Sequence, residues 1–224
     1  MTVRLFIGNK NYSSWSLRPW LVLRWARIPF EETVISLAQE GYGEQSIADV
    51  VAVSPNGRVP ALHVDGVQIS DSLAIAEWAA EQVAADVLWP TDPVARALGR
   101  SATAEMHSGF MDLRDELPMN INRRVRAHGL SEGTQRDIGR VISLWSGLRE
   151  RFANRGPWLF GQRSIADAFY APVVTRLRTY GIELPETAMA YSATVLSDAD
   201  FLAWEAEPVT DTFAFIDNVF SDDD

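Results

Sequence analysis

The sequence predicts an α/β unit followed by an all-helical unit. Strand and helix patterns alternate over roughly the first eighty residues in the order β-α-β-α-β-β-α, which is typical of a small open sheet with helices on its faces. The segment LWPTDP, residues 88 to 93, then carries two prolines and is typical of a linker. Beyond it the strand patterns disappear and helical patterns continue. We therefore expect two domains, at residues 1–84 and 93–224.

The first half of the α/β unit is predicted from its periodicity. Residues 3 to 8, VRLFIG, are typical of a strand, and a polar turn follows them. Apolar residues then recur at helical spacing from Leu17 to Ile28, where Pro29 is expected to end the helix. The β-branched, alternating segment EETVISL, residues 31 to 37, predicts the second strand.

The second half of the unit contains a short helix, a hairpin and a longer helix. EQSIADVVAV, residues 44 to 53, predicts the short helix, which SPNG ends. The dipeptide Asp65-Gly66 between PALHV and VQIS is a strong hairpin signal. The Ala-rich segment at residues 71 to 84 predicts the longer helix.

Helices alone are predicted after the linker. Their apolar spacing favours helices at 94 to 126, 132 to 154 and 164 to 180, with weaker ones near the end. Neither an internal repeat nor a low-complexity segment is present in the sequence. The second domain is therefore expected to be all-helical.

The composition excludes several functions. The chain has no cysteine, so disulfides, thiolate metal sites and a protein thiol nucleophile are excluded. A formal net charge of −10 disfavours a nucleic-acid partner. No apolar run approaches the ~18 residues of a membrane span, and we expect neither a membrane partner nor a secretory signal but a cytoplasmic protein. The acidic tail SDDD, residues 221 to 224, is expected to be solvated.

Three serines lie between the first strand and its helix. Ser13, Ser14 and Ser16 fall where free N–H groups and the positive end of the helix dipole converge, which suits an anion or a thiolate. The alternative is structural: one serine caps the helix and the others fill a turn.

Two further pairs of residues flank the hairpin. Val59-Pro60 directly precedes a strand, which is either a simple strand start or a cis bond. Asp71 and Ser72 lie between a strand and a helix. Ser72 either caps that helix or, with nearby N–H groups, binds a ligand carboxylate while Asp71 binds an ammonium group. A zwitterionic ligand needs both groups.

These signals occur in the order typical of one family. The chain resembles the cytosolic glutathione transferase superfamily: SSWSLR is similar to the SSxSxR pattern of zeta-class and other serine-type members, and DSLAIAEWAAE and LWPTDPVARA resemble the family's later segments. WLFGQRSIADAFYAPVV resembles its buried helix, with a capping box at Ser164 and Asp167. The resemblance implies a thioredoxin-like N-terminal domain and an all-helical C-terminal domain.

The resemblance also implies a mechanism. In serine-type members a serine hydroxyl donates a hydrogen bond to the sulfur of the co-substrate glutathione and favours its thiolate. Matching to the motif selects Ser13 as the catalytic hydroxyl, with Ser14 second. Such a bond, at ~1.5–3 kcal/mol, lowers a thiol pKa of ~8.5 by about one to two units. Val59, Pro60, Asp71 and Ser72 are the implied glutathione-binding residues.

The electrophile pocket is expected in the cleft between the domains. The segment AEMHSGFM, residues 104 to 111, supplies its candidates: Met106, His107, Phe110 and Met111. The alternative for each is a helix packing its core face. Three scattered histidines predict no metal site. A homodimer is implied by the family.

Three functions remain open at this point. The first is a transferase that joins glutathione to a small hydrophobic electrophile, a detoxification reaction. The second is a glutathione-dependent isomerase of the maleylacetoacetate type, from which this chain departs by Trp15 and Pro19 where zeta-class members have Cys and Val. The third is a non-catalytic adaptor with the same fold.

Overall fold

The computed structural model describes residues 1–220 of the 224-residue chain. The expected solvation of the tail at 221–224 lies outside the described residues. The elements follow the predicted order β-α-β-α-β-β-α and continue as helices, which confirms the predicted fold class.

A four-stranded mixed sheet forms the centre of the first unit. Its strands are β1 (Val3–Gly8), β2 (Glu31–Ile35), β3 (Ala61–Val64) and β4 (Val67–Ser70). They are ordered β2-β1-β3-β4, with β1 parallel to β2 and β3 antiparallel to both of its neighbours. The predicted hairpin is present: Asp65 and Gly66 both have positive φ, at 48° and 85°, as a two-residue hairpin turn requires.

Helices cover both faces of this sheet, because successive side chains of its strands point to opposite faces and both sets are apolar. The helices are α1 (Ser14–Trp25), α2 (Ala48–Val53) and α3 (Ser72–Glu81). Leu5 and Ile7 point into the main core with α1 and α3, whereas Phe6 points to the opposite face and packs against Val50 of α2. The sheet is thus the middle layer of a three-layer unit.

Helix α1 ends ahead of the predicted stop. Arg27 adopts a left-handed conformation with φ 54°, and the Ile28 N–H donates to the Leu23 carbonyl at 3.1 Å. This backbone cap ends the helix at Trp25, so the prediction that it continues to Pro29 is wrong by one turn.

The remaining described elements are helical. They are α4 (Pro93–Ser108), α5 (Met111–Glu116), α6 (Glu132–Phe152), α7 (Ile165–Thr179), α8 (Glu186–Leu196), α9 (Ala199–Glu205) and α10 (Ala214–Asp217), with a 3-10 turn at Ala153–Arg155. Helix α7 packs against α1, α4 and α8 and is buried along almost its whole length. The domain division at 1–84 and 93–224 stays a prediction.

The prediction of one helix over residues 94 to 126 is wrong. Helix α4 ends at Ser108, and Phe110 then adopts a left-handed conformation with φ 60°. Arg114 stabilises this break, because its Nε donates to the Gly109 carbonyl at 2.9 Å and its Nη2 donates to the Met106 carbonyl. Helix α5 ends at Glu116, just before Pro118.

The predicted capping box opens α7. The Ser164 N–H and hydroxyl both donate to Asp167 Oδ2 at 2.8 Å. The Leu159 N–H and the Tyr191 hydroxyl donate to the other carboxylate oxygen, each at 3.1 Å. Burial nevertheless raises the pKa of Asp167 to about 6.

We expect Asp167→Asn to lower the free energy of unfolding by about 2–3 kcal/mol, because an amide has one acceptor oxygen for these donors. The folded-state pKa of Asp167 lies above the ordinary 3.8, so unfolding releases a proton between about pH 4 and pH 6 and the wild type loses this stability as pH rises. The gap between wild type and D167N should therefore narrow across that window. Urea unfolding at several pH values measures it, and a gap that widens contradicts the assignment.

Candidate active site

A cavity of about 720 Å³ lies between the N-terminus of α1 and the helices beyond the linker. Of the predicted site residues it is lined by Ser13, Ser14, Val59, Pro60, Asp71, Ser72, His107 and Met111. Met106 and Phe110, predicted for the electrophile pocket, do not line it. Both side chains lie in the hydrophobic core, as the core-packing alternative expects.

The serine cluster forms a buried hydrogen-bonded group at the start of α1. The Ser13 hydroxyl donates to Ser16 Oγ at 2.8 Å, and the Gly8 N–H donates to the same oxygen at 3.1 Å. Ser13 occupies the N-cap position without a side-chain cap bond. The alternative prediction, that a serine side chain caps α1, is therefore wrong for the N-cap residue Ser13.

Ser14 contacts a different partner. Arg176 of α7 donates from Nη2 to Ser14 Oγ at 3.3 Å. This arginine is buried, and its Nε donates to the Leu117 carbonyl at 2.8 Å. Burial lowers the pKa of Arg176 to about 9, with repulsion from Arg114 adding to the effect, so the guanidinium remains charged at neutral pH.

A second buried arginine, Arg18, packs against Trp15, which lines the same cavity. Arg18 is fully buried between the rings of Trp15 and Phe169, at 4.2 and 5.0 Å from their centroids. None of its guanidinium nitrogens has a hydrogen-bond partner among residues 1–220. Burial lowers the pKa of Arg18 well below its ordinary value, and Arg114 and Arg176 lower it further by repulsion.

The four residues predicted for glutathione binding all line the cavity, two of them at the start of α3. Asp71, at φ 80°, is the N-cap and accepts from the Leu73 N–H at 2.7 Å and the Ala74 N–H at 3.4 Å. The possibility that Ser72 caps the helix is therefore wrong. The buried Ser72 Oγ has no partner within the described part of the chain. The Val59-Pro60 bond, which also lines the cavity, is cis.

His107 of α4 contacts two residues of the first unit in the cavity wall. Its Nε2 lies 3.3 Å from Asp71 Oδ2, and its ring stands edge-on to Trp15 at 5.4 Å. Burial lowers the pKa of His107, the Asp71 carboxylate opposes that change, and Arg18 adds to it. The imidazole is therefore neutral at pH 7.

Several lining residues were missed by the sequence analysis. These are Tyr12, Tyr42, Arg114, Arg176 and the C-terminal Phe213, Phe215, Ile216 and Val219. One signal was available: Arg176 falls on the same helical face as Phe169 and Val173 in an otherwise apolar segment. The aromatic residues of the C-terminal segment offer no comparable periodicity.

Tyr12 also lines the cavity, but its hydroxyl is hydrogen-bonded within the protein. It donates to the two carboxylate oxygens of Asp217, at 3.0 and 3.1 Å. Burial, together with that carboxylate, raises the pKa of Tyr12. Its proton is therefore less available to a ligand than those of the serines.

Neither a metal site nor a membrane-spanning helix is found in the described residues. No group of three or more His, Asp or Glu within residues 1–220 is arranged to hold a metal ion. Over the same residues, every helix is too short or too polar to cross a bilayer.

The fold and the serine-bearing cleft define a glutathione transferase type of protein. Residues 12–82 match the family model described as Glutathione S-transferase, N-terminal domain. Residues 131–206 match the one described as Glutathione S-transferase, C-terminal domain. The chain belongs to the glutathione transferase superfamily, which confirms the resemblance found in the sequence.

Curated relatives and solved structures agree with this assignment. The chain is 28% identical to the maleylacetoacetate isomerase of Pseudomonas aeruginosa over 81% of its own length and 84% of the relative's. It is 28% identical to that of Rattus norvegicus over 80% of each chain. A glutathione transferase homologue from Burkholderia gl BGR1, solved with bound glutathione, is 25% identical at a TM-score of 0.69, covering 91% of this chain and 96% of that one.

Removing the Asp71 charge should lower the pKa of His107 further, because this carboxylate is what favours the imidazolium. We expect the His107 ring resonances of Asp71→Asn to titrate at lower pH than those of the wild type. NMR titration measures this, with His107→Gln assigning the signal and His128 as the internal control. An unchanged or raised midpoint contradicts the described contact.

Proposed function

We propose that the chain binds glutathione in this cleft and ionises its thiol through a serine hydroxyl at the start of α1, for attack on a small hydrophobic electrophile. In this proposal residues 1–84 supply the glutathione site and residues 93–224 the electrophile pocket. The homodimer and the cytoplasmic location implied by the family belong to the same proposal.

The observation that carries the proposal is the Ser72 hydroxyl. It is buried, lines the cavity and has no partner among the described residues. A buried hydroxyl without a partner costs free energy unless a ligand supplies the missing bond. Its place beside the N-terminus of α3 suits a carboxylate.

The chemistry of glutathione fits the other groups of the cleft. Its γ-glutamyl end is a zwitterion, whose carboxylate suits Ser72 and whose ammonium suits the carboxylate of Asp71. The backbone of Val59, next to β3, suits the extended cysteinyl unit, with Pro60 fixing the geometry. The thiol would then face Ser13 and Ser14, which line the same cavity.

The lining residues from beyond the linker suit the electrophile. Met111, Phe213 and Phe215 give it an apolar surface, and Arg114 and His107 add polar groups. An apolar wall with a few polar groups is typical of a small-molecule site. A thiol placed at Ser13 and Ser14 would share this cavity with the electrophile.

A second candidate is a glutathione-dependent isomerase. It is favoured by the 28% identity to maleylacetoacetate isomerases of Pseudomonas aeruginosa and Rattus norvegicus. In such a reaction glutathione adds to the substrate and leaves again. The non-catalytic adaptor, by contrast, has no use for an unpartnered Ser72 hydroxyl facing a cavity.

Ser72→Ala should weaken glutathione binding about tenfold, since the lost hydrogen bond contributes about 1.4 kcal/mol. Isothermal calorimetry measures the Kd. Ser192→Ala is the matched control, because Ser192 also has a buried hydroxyl without a partner in residues 1–220 but does not line the cavity. Equal affinities for the wild type and S72A, or no binding by either, would count against the proposed site.

Glutathione stoichiometry separates the two candidate reactions. We expect one glutathione to disappear for each product molecule formed from an aryl or alkyl halide, because the sulfur remains bonded to the product. Thiol titration alongside product chromatography measures this ratio. Turnover of a cis enone diacid with constant glutathione, and no consumption with the halide, would instead identify the isomerase.

A further inference from the structure

The N-terminus of α1 presents two serines to the cavity, so position alone does not determine which of them activates the sulfur. The hydrogen bonds around them differ, however. Each hydroxyl has one proton, and only a proton that the protein does not use is available to a thiolate. The partners of Ser13 and Ser14 therefore distinguish their roles.

Ser13 uses its proton inside the protein. It donates to Ser16 Oγ at 2.8 Å, and that oxygen also accepts the Gly8 N–H at 3.1 Å. All of these groups are buried. The bonds tie the turn to the end of β1, which makes Ser13 suited to holding the backbone of the turn.

Ser14 is an acceptor in its described bond. Arg176 donates to Ser14 Oγ at 3.3 Å from α7, an element remote in the sequence. A hydroxyl that accepts from a cation is polarised, and it donates its own proton more strongly to an anion. Bonds from Arg176 Nε to the Leu117 carbonyl and from Nη1 to the Pro172 carbonyl hold the guanidinium in place.

The charges around Ser14 favour the same assignment. Arg114 also lines the cavity, with a buried Nη1 that has no partner among residues 1–220, and Arg18 lies buried nearby. The other titratable groups facing these arginines are Asp71 and His107, Asp115 and Asp137 beside Arg114, and Tyr170 beside both Arg18 and Arg114. A thiolate beside Ser14 would thus enter a region with an excess of buried positive charge.

We propose that Ser14, polarised by Arg176, is the hydroxyl that stabilises the glutathione thiolate, and that Arg176 is a positioning residue acting through it. This inference rests on the proposed function. The thiol proton passes to solvent water as the sulfur ionises, the Ser14 O–H then donates to the sulfur, and Arg176 keeps its own proton. Ser13 and Ser16 hold the turn.

The test is a pH titration of the thiolate absorbance of bound glutathione. In the wild type we expect a thiol pKa about one to two units below the free value of ~8.5. Ser14→Ala should remove most of this shift, whereas Ser13→Ala should retain it. Arg176→Met should also raise the thiol pKa, and Arg176→Lys should restore part of the shift because it keeps a buried cation.

A double-mutant cycle tests whether Arg176 acts through the hydroxyl. In the Ser14→Ala background, Arg176→Met should change the thiol pKa by much less than it does in the wild type. Arg178→Met is the matched control, since this arginine lies on α7, contacts Glu205 and does not line the cavity. It should leave the thiol pKa unchanged. Circular dichroism identifies variants that fail to fold. If Arg176→Met fails to fold, the removal of a single oxygen atom in Ser14→Ala still tests the role of the hydroxyl.

The outcomes separate this inference from the proposed function. A wild type that fails to bind glutathione, or binds it with an unshifted thiol, overturns both. A shift that is lost in Ser13→Ala and Ser16→Ala but retained in Ser14→Ala overturns the inference alone. That result would mean that Ser16 donates to Ser13, and Ser13 to the sulfur.

Discussion

Helix α1 is the element on which the rest of the structure depends, because it packs against both α3 and α7. Within it, only Trp15 and Arg24 are not buried. A helix fixed on two sides cannot shift without disturbing both halves of the core. Its N-terminus therefore holds the serines at a constant distance from Arg176 on one side and from the start of α3 on the other.

The charge distribution gives this N-terminus a local character opposite to that of the whole chain. The formal net charge is −10, yet the buried Arg18 and Arg176 and the half-buried Arg114 lie close enough at this end of the cavity to repel one another. Burying a guanidinium without hydrogen bonds is costly, and the rings of Trp15 and Phe169 offset only part of that cost for Arg18. The thiolate of the proposed function would add negative charge beside Arg114 and Arg176, the two of these arginines that line the cavity.

Sequence reasoning reached the parts of the site that follow one another along the chain. Ser13, Val59-Pro60 and Ser72 lie in the connections that flank the strands, and the resemblance to the glutathione transferases implies that they share one site. Arg176 and Phe213 come from remote segments, and their approach depends on how α7 and the C-terminal segment pack. The break after α4 was missed for a similar reason, since Arg114 satisfies the freed carbonyls from outside the local pattern.

The turn between β1 and α1 contacts the C-terminal segment as well as bearing the serines. Lys10 lies between the rings of Trp20 and Trp204 and pairs with Glu207, while Tyr12 holds Asp217. These contacts fix the chain that brings the apolar wall to the cavity, and they come from the turn that also bears the serines. The polar end and the apolar end therefore cannot move independently. In the proposed reaction between a thiol and an apolar partner, that coupling would hold the two substrates in a fixed relative position.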